Sequence, residues 1–90
     1  MFENPDDLTI YSKPGCPWCI AVISYLQNEG YEFTEVDVVA SDKQFQKMVE
    51  ISGQSLVPTI AFGDHVLPDC GISELKKFIK NHNIQLPVSA

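Results

Sequence analysis

The predicted fold is decided by residues 8–19, which read LTIYSKPGCPWC. The first five of these residues carry leucine, isoleucine and tyrosine and predict a short strand, and the Lys-Pro-Gly at residues 13–15 is typical of a turn. From Pro17 onward apolar residues recur at helical spacing, and proline suits the first helical position because its missing N–H would have no partner there. The segment therefore predicts a strand, a turn and a helix, with two cysteines at the junction.

The rest of the chain continues this alternation of strands and helices. Glycines 30 and 53 are natural helix ends, Ser41–Gln44 has the spacing of a capping box, and Gly63-Asp64 predicts a hairpin turn. The predicted elements, in chain order, are strand 8–12, helix 17–30, strand 31–38, helix 41–53, strands 57–62 and 65–67, and helix 72–81.

This β-α-β-α-β-β-α order predicts a single α/β domain over residues 1–90. A four-stranded mixed sheet flanked by three helices, with helices on both faces, fits a chain of ninety residues. Strands joined through a helix are expected to run in parallel through right-handed crossovers, and the last hairpin is expected to be antiparallel.

Composition places the chain among ordinary globular proteins. Hydrophobic residues make up 44% and aromatic residues 10% of the chain, which allows one modest core and argues against disorder. No apolar run approaches the roughly 20 residues that span a bilayer. The first seven residues are acidic and include a proline, unlike the basic and apolar regions of a signal peptide. We therefore expect a cytoplasmic protein.

The charge balance disfavours polyanionic partners. Twelve acidic residues oppose six lysines, there is no arginine, and the formal net charge is −6. Such a chain repels phosphate backbones and anionic lipid, so neither nucleic acid nor a membrane is an expected partner. A carboxylate ligand would be held by lysine ammonium groups, amide side chains or backbone N–H groups.

The three cysteines are Cys16, Cys19 and Cys70, and an odd, small number does not indicate a disulfide scaffold. A helix N-terminus favours a thiolate through its free N–H groups and its partial positive charge. Cys16, at the N-cap side and expected to be exposed, is therefore the predicted nucleophile. Cys19, one turn inward, is close enough to resolve a mixed disulfide by bonding to Cys16.

Two neighbours of the cysteines each have two interpretations. The ammonium group of Lys13 would stabilise the Cys16 thiolate or bind a substrate carboxylate; otherwise Lys13 is a solvated turn lysine. Trp18 would form a partly exposed apolar rim beside the reactive sulfur; otherwise its ring packs against the domain.

A zinc site is the alternative interpretation of the cysteine pair. His65, Cys70 and His82 could supply further ligands, but structural zinc usually draws on two closely spaced pairs, and the chain has no second pair. Proline directly after Cys16, at the start of an amphipathic helix, also suits a redox turn better. We therefore predict redox chemistry and no bound metal.

Residues 11–19, YSKPGCPWC, resemble the active-site segment of the glutaredoxin family, in which an aromatic residue follows Cys-Pro. Val57-Pro58 is similar to that family's Val-Pro pair, in which the proline is cis. The resemblance covers residues 8 to 80 and implies a thioredoxin-like fold. It further implies a cytoplasmic thiol–disulfide oxidoreductase of electron transport and cell redox homeostasis, with glutathione as co-substrate and no tightly bound cofactor. The implied substrates are protein disulfides and glutathionylated proteins, and we expect a monomer.

The resemblance also implies how glutathione is bound. Lys13 and Gln54 would meet its glycine carboxylate, and the backbone of Val57 would bond its cysteine moiety as an added strand does. N–H groups near Cys70 and Gly71, at a helix start, would receive its γ-glutamyl carboxylate. The implied substrate and glutathione site comprises Lys13, Trp18, Gln54, Val57, Pro58, Cys70 and Gly71.

Pro68-Asp69 departs from the family, which usually carries Gly-Gly at this position. Proline removes a backbone donor, and the aspartate places negative charge where an anion is expected to bind. Reduction by thioredoxin reductase is therefore the alternative to glutathione. A bridging iron–sulfur module is a further alternative, which Pro17 disfavours relative to family members with glycine there, and a non-catalytic adaptor of the same fold would show no turnover.

Cys70 has two interpretations. The fold is expected to bring its thiol close to Pro58 and Cys16, exposed beside the active site. It would then form a regulatory or mixed disulfide; otherwise it is a small residue at the start of a helix with no redox role.

Overall fold

The computed structural model describes residues 8–84, in which seven elements follow the predicted order. These elements are β1 (Leu8–Ser12), α1 (Pro17–Glu29), β2 (Thr34–Asp37), α2 (Asp42–Ser52), β3 (Thr59–Phe62), β4 (His65–Leu67) and α3 (Ile72–Asn81). The α/β class, with a four-stranded mixed sheet and three helices, is confirmed. None of the helices in this part of the chain has the length and apolar character needed to cross a membrane. That residues 1–90 form one domain stays a prediction.

The strands lie in the order β2-β1-β3-β4. β1 and β2 are parallel, whereas β3 is antiparallel to both β1 and β4. The expectation that β3, which follows a helix, would be parallel is therefore wrong. α2 starts after β2, at one edge of the sheet, and contacts β4 at the other edge. Because α2 runs across the strands and not back along them, β3 enters at the end where β1 and β2 finish.

The second strand is shorter than predicted. Residues 31–38 pair with β1 over Thr34–Asp37. The chain leaves α1 through Gly30, which adopts the left-handed conformation with φ 87°. The N–H of Tyr31 still donates to the carbonyl of Leu26 at 3.0 Å, so the residues directly after the helix belong to its C-terminal turn and not to the sheet.

The third strand also begins later than predicted, at Thr59 and not at Val57. Pro58 has no N–H with which to join a ladder, so pairing starts at the residue that follows it. Val57 is therefore left in a loop just beyond the end of β1, whose Tyr11 pairs with Thr59.

The first two helices begin and end as the sequence indicates. Pro17 is the first residue of α1 and Gly30 is its C-cap. In α2, the Ser41 hydroxyl accepts the N–H of Gln44 at 3.3 Å, and Gly53 is the left-handed C-cap. Each cap satisfies backbone groups that the helix itself leaves without a partner.

The helices cover both faces of the sheet, as predicted. On one face α1 and α3 pack on β1 and β3, and the fully buried side chains there are Ile10, Val22, Leu26, Ile60 and Leu75. On the other face, Met48 of α2 packs with Tyr11 and Val38. These two layers hold the end of β1, the start of α1 and the loop before β3 at one end of the sheet. The cysteine pair lies at that end.

Candidate active site

Cys16 lies where β1 turns into α1. Gly15 completes the turn at φ 77°, a conformation that glycine adopts without steric cost. Cys16 is the N-cap of α1, and its sulfur accepts the N–H of Cys19 at 3.3 Å. The predicted N-cap position of Cys16 is therefore confirmed.

The expectation that Cys16 is exposed is wrong, because only 6% of the residue is accessible. Cys16 lies in an open cleft whose walls include Trp18 and Val57, and these walls cover most of the residue. Cys16 therefore lies inside the cleft and not on a protruding turn.

Cys19 is buried behind Cys16, with 1% of the residue accessible. The pKa of the Cys19 thiol is raised to about 12, chiefly by burial and also by the hydrogen bond and the charge interaction with Cys16, whereas Lys13 lowers it. Cys19 does not line the cleft. The two sulfurs are therefore inequivalent: Cys16 lines the cleft, and Cys19 lies buried behind it.

The cleft has a volume of about 480 Å³ and is mostly apolar. Lys13 is the charged side chain among its lining residues, although the chain carries twelve acidic residues. Three apolar side chains form an exposed rim: Trp18, Val39 and Leu56 are 66%, 68% and 55% accessible. We call these three residues the apolar rim. The predicted exposure of Trp18 is confirmed, and the ligand roles of Lys13 and Trp18 stay predictions.

The loop before β3 forms one wall of the cleft. The Val57–Pro58 peptide bond is cis, as the resemblance implied. Val57 lines the cleft, and within residues 8–84 its backbone N–H and carbonyl make no hydrogen bond. Pro58 is buried, and its carbonyl accepts the N–H of Cys70 at 3.3 Å. The loop thus presents free backbone groups to the cleft and is attached to the start of α3.

Gln54 does not line the cleft. Its amide nitrogen donates to oxygens of Ser52, Leu56 and Thr59 at 2.9–3.2 Å, and its amide oxygen accepts the N–H of Leu56. The side chain thus fixes the shape of the loop that carries Val57. Its predicted contact with a ligand carboxylate stays a prediction, and it would require these hydrogen bonds to break.

The expectation that the Cys70 thiol is exposed is wrong, because only 3% of the residue is accessible. Cys70 belongs to the core cluster on the α1 and α3 face of the sheet. The pKa of its thiol is raised to about 12, chiefly by burial and also by the charges of Glu74, Asp69 and Cys19. A buried, protonated thiol is a poor nucleophile, so the structure favours the packing role over a redox role.

The raised pKa of Cys70 predicts a loss of stability at alkaline pH. Its ordinary value is 9.0, so above pH 9 the unfolded chain releases a proton that the folded chain keeps, and stability falls as pH rises. In urea unfolding of the reduced protein, the change from pH 8 to pH 10 should cost the wild type about 1 kcal/mol more than Cys70→Ala. An equal cost in both proteins would contradict the burial of this thiol.

Two groups of residues near the site carry no motif that marks them. Val39, Phe45 and Leu56 line the cleft. In the sequence, the one feature that could have indicated this is their position near the ends of predicted elements. Glu74 is the other such residue, and its carboxylate accepts the N–H of Gly71 at 2.8 Å. The glycine–x–x–glutamate spacing of a helix start is the signal that could have identified Glu74.

The zinc alternative finds no support in residues 8–84, where no three histidine, cysteine or acidic side chains converge on a point. The rings of His65 and His82 stack on each other at 3.9 Å.

A second cleft, of about 640 Å³, is lined by Leu8, Gln27 and Glu35 among others. It lies at the start of β1 and the end of α1, away from the cysteine pair, and no cysteine lines it.

Fold and site together define a thiol–disulfide oxidoreductase with a thioredoxin-like fold, in which a Cys-x-x-Cys pair opens the first helix. The glutaredoxin family model matches residues 8–67. The chain belongs to the glutaredoxin family, as its active-site segment indicated.

Individual relatives agree with this assignment. An uncharacterized glutaredoxin-like 8.6 kDa protein in the rubredoxin operon of Clostridium pasteurianum is 33% identical over 73 residues, covering 81% of this chain and 97% of that protein. Glutaredoxin-C2 of Arabidopsis thaliana is 31% identical over 70 residues, covering 74% of this chain and 63% of that protein. The glutaredoxin grx-1 structure from Archaeoglobus fulgidus has a TM-score of 0.74 and 25% identity, covering 83% of this chain and 87% of that one.

Proposed function

We propose that this chain is a glutathione-dependent reductant of protein disulfides and glutathione mixed disulfides, acting through the Cys16/Cys19 dithiol. The observation that carries the proposal is the arrangement of the two sulfurs. Cys16 lines an open cleft at the N-cap of α1, and Cys19 is buried behind it. This arrangement suits a nucleophile that receives the substrate and a second thiol that acts only after attack.

The reduction proceeds as two thiol–disulfide exchanges. The Cys16 thiolate attacks one sulfur of the substrate disulfide; a bond forms between Cys16 and that sulfur, the substrate S–S bond breaks, and the departing thiolate takes up a proton. Cys19 then attacks the Cys16 sulfur and releases the bound fragment as a thiol; where the bound fragment is glutathione, a second glutathione thiolate can instead attack the glutathione sulfur, which frees the Cys16 thiolate and forms glutathione disulfide. When Cys19 attacks, the Cys16–Cys19 disulfide forms, and two glutathione molecules restore the dithiol as they become glutathione disulfide.

The attack by Cys19 requires the loss of its proton. Apart from burial, the raised pKa of Cys19 comes from its hydrogen bond with Cys16 and from the charge of Cys16. The charge of Cys16 is lost when Cys16 is joined to a substrate sulfur, whereas burial, which raises the pKa of Cys19, and the backbone hydrogen bond and charge of Lys13, which lower it, remain. Formation of the mixed disulfide therefore prepares Cys19 for attack.

The cleft offers the groups that a glutathione moiety needs. Its volume of about 480 Å³ lies in the range of small-ligand sites, roughly 300–1,000 Å³. The Lys13 ammonium suits the glycine carboxylate. The free N–H and carbonyl of Val57 suit the backbone of the cysteine moiety, as in strand addition.

The apolar rim supports polypeptide substrates beside glutathione. Exposed apolar side chains around a reactive group favour contact with apolar segments of a partner. We therefore include disulfide-bonded and glutathionylated proteins among the partners of this chain. We further propose that the protein acts as a monomer. Its proposed location is the cytoplasm, where thiols are kept reduced.

One observation favours a second candidate, in which thioredoxin reductase supplies the electrons. The N–H of Gly71, which would receive the γ-glutamyl carboxylate, already donates to Glu74. Asp69 adds a second exposed carboxylate at the same helix start. Two negative charges there weaken the attraction for an anionic donor.

A coupled assay separates the two donors. Reduction of a glutathionylated peptide is followed by NADPH oxidation, with glutathione plus glutathione reductase in one arm and thioredoxin reductase alone in the other. We expect turnover in the first arm when this protein is added and not when it is omitted. Turnover in the second arm alone would replace glutathione by thioredoxin reductase as donor, and turnover in neither arm would overturn the proposed reductase activity.

A further inference from the structure

The loop before β3 is held by three polar side chains that do not line the cleft. Ser52, the last residue of α2, donates its hydroxyl to the Met48 carbonyl at 2.6 Å and accepts the amide N–H of Gln54 at 3.0 Å. The same amide nitrogen donates to the hydroxyl of Thr59, the first residue of β3, at 2.9 Å. We call Ser52, Gln54 and Thr59 the loop-anchoring network, because they join the end of α2 to the start of β3.

The network holds both backbone polar groups of Leu56, a residue that lines the cleft. The Leu56 N–H donates to the amide oxygen of Gln54 at 2.6 Å. The Leu56 carbonyl accepts the Thr59 hydroxyl at 2.8 Å and the Gln54 amide at 3.2 Å. Thr59 is fully buried, so its hydroxyl has no water as an alternative partner, and loss of the contact with Leu56 would leave it unsatisfied.

The direction of the Leu56 carbonyl determines the direction of the Val57 N–H. The two groups belong to one planar peptide unit, and in a trans unit such as Leu56–Val57 they point in opposite directions. Because the carbonyl points toward Thr59 and Gln54, the Val57 N–H points away from them. Val57 lines the cleft, and this N–H makes no hydrogen bond within the described part of the chain. The loop-anchoring network therefore fixes the orientation of a free donor in the wall of the cleft.

We propose that Thr59 and Gln54 are positioning residues of the reduction: by holding the Leu56 carbonyl, they orient the Val57 N–H toward the backbone of a substrate joined to Cys16. The inference rests on the proposed function, in which Val57 bonds the cysteine moiety of the substrate. Thr59 is buried and Gln54 lies outside the cleft, so both act through Leu56. For Gln54 this role is the alternative to contact with a ligand carboxylate, which would require the same hydrogen bonds to break.

The test compares two mixed disulfides that share a leaving group. In one, the cysteine of a short peptide is joined to 5-thio-2-nitrobenzoate; in the other, 2-mercaptoethanol, which has no peptide backbone, is joined to the same aryl thiol. The Cys16 thiolate attacks the peptide or mercaptoethanol sulfur and forms a bond to it, the substrate S–S bond breaks, and the coloured aryl thiolate departs because it is the better leaving group. The reduced protein, in excess, reacts with each substrate in a single turnover, which gives two rate constants.

We expect Thr59→Val, which removes the hydroxyl and keeps the branched shape, to lower the ratio of the peptide rate constant to the mercaptoethanol rate constant roughly three- to tenfold. Thr59→Ser keeps the hydroxyl and should leave the ratio within about twofold of wild type. Gln54→Met should also lower the ratio. Because Thr59 and Gln54 hold the same carbonyl, the double variant should lower it by less than the product of the two single effects.

Thr9→Val is the matched control, because it makes the same change in β1, outside the loop-anchoring network and the cleft. The ratio should be unchanged in this variant, and circular dichroism melting curves establish that each variant is folded. In a wild type that reacts with both substrates, a ratio unaltered by Thr59→Val, including an equal loss on both substrates, would overturn the positioning role and leave the reductase function intact. Failure of the wild type to react with either substrate would refute the proposed function, and the inference with it.

Discussion

Replacement of Cys16 by serine is expected to lower disulfide reduction on the order of a thousandfold or more, with any electron donor. The serine hydroxyl is not ionised near neutral pH, so the variant lacks the attacking thiolate. Serine is a good N-cap and can accept the N–H that the Cys16 sulfur accepts now, so α1 should stay intact. The measurement is NADPH-coupled turnover of a glutathionylated peptide, with helix content followed by circular dichroism.

Ile20→Ser is the matched control for this variant. Ile20 lies one turn beyond Cys16 on α1, is 57% accessible, and does not line the cleft. It introduces serine into the same helix without touching a thiol, and turnover should stay within roughly twofold of wild type. Substantial turnover by Cys16→Ser would mean that another residue performs the attack and would refute the assignment of the nucleophile.

Replacement of Cys19 by serine is expected to affect the two reductase activities differently. Reduction of an intramolecular protein disulfide should fall roughly a hundredfold, because release of the bound substrate then depends on an external thiol and not on a neighbouring one. Reduction of a glutathione mixed disulfide should persist within about threefold, since glutathione itself releases the fragment from Cys16. Parallel assays of both substrates measure this division.

The same variant should trap the intermediate of the first reaction. Without Cys19, a protein substrate stays joined to Cys16, and intact-mass spectrometry of the non-reduced mixture should show the covalent pair. Treatment with a reductant should restore the free chains. Equal losses on both substrates, with no trapped species, would mean that Cys19 does more than resolve the mixed disulfide.

Local features of this fold could be predicted from the sequence. The strand, turn and helix at residues 8–19 depend on apolar spacing, on proline at the helix start and on glycine in the turn, all of which act within a few residues. The caps at Ser41 and Gly53 have the same local origin. The inequivalent positions of Cys16 and Cys19 could also be predicted, because the N-cap is the end of a helix and the third position beyond it is inside the first turn.

Features that depend on distant contacts could not be predicted in this way. The direction of β3 is set by the path of α2 across the sheet. The spacing of apolar residues within α2 does not indicate this path. The accessibility of Cys16 depends on a cleft lined by residues from separate segments, among them Trp18 in α1 and Val57 in the loop before β3. Neighbouring charges and burial, and not residue identity, likewise decide that the Cys70 thiol stays protonated.

The departure at Pro68-Asp69 takes on a physical meaning only with the structure. From the sequence, it is a loss of glycine and a gain of charge at a position expected to bind an anion. The structure adds that Glu74 already occupies the Gly71 N–H, and that Asp69 adopts the positive φ that glycine usually supplies. The turn therefore has two carboxylates beside a backbone N–H that already has a partner.

The central claim is that Cys16 is the reachable sulfur and that Cys19 and Cys70 are shielded thiols. It is tested most directly by brief iodoacetamide labelling of the folded, reduced protein near neutral pH, followed by peptide mapping in a mass spectrometer. We predict that Cys16 is modified first and that Cys19 and Cys70 are modified only after unfolding in urea. Modification of Cys19 or Cys70 as fast as Cys16 in the folded protein would contradict the claim.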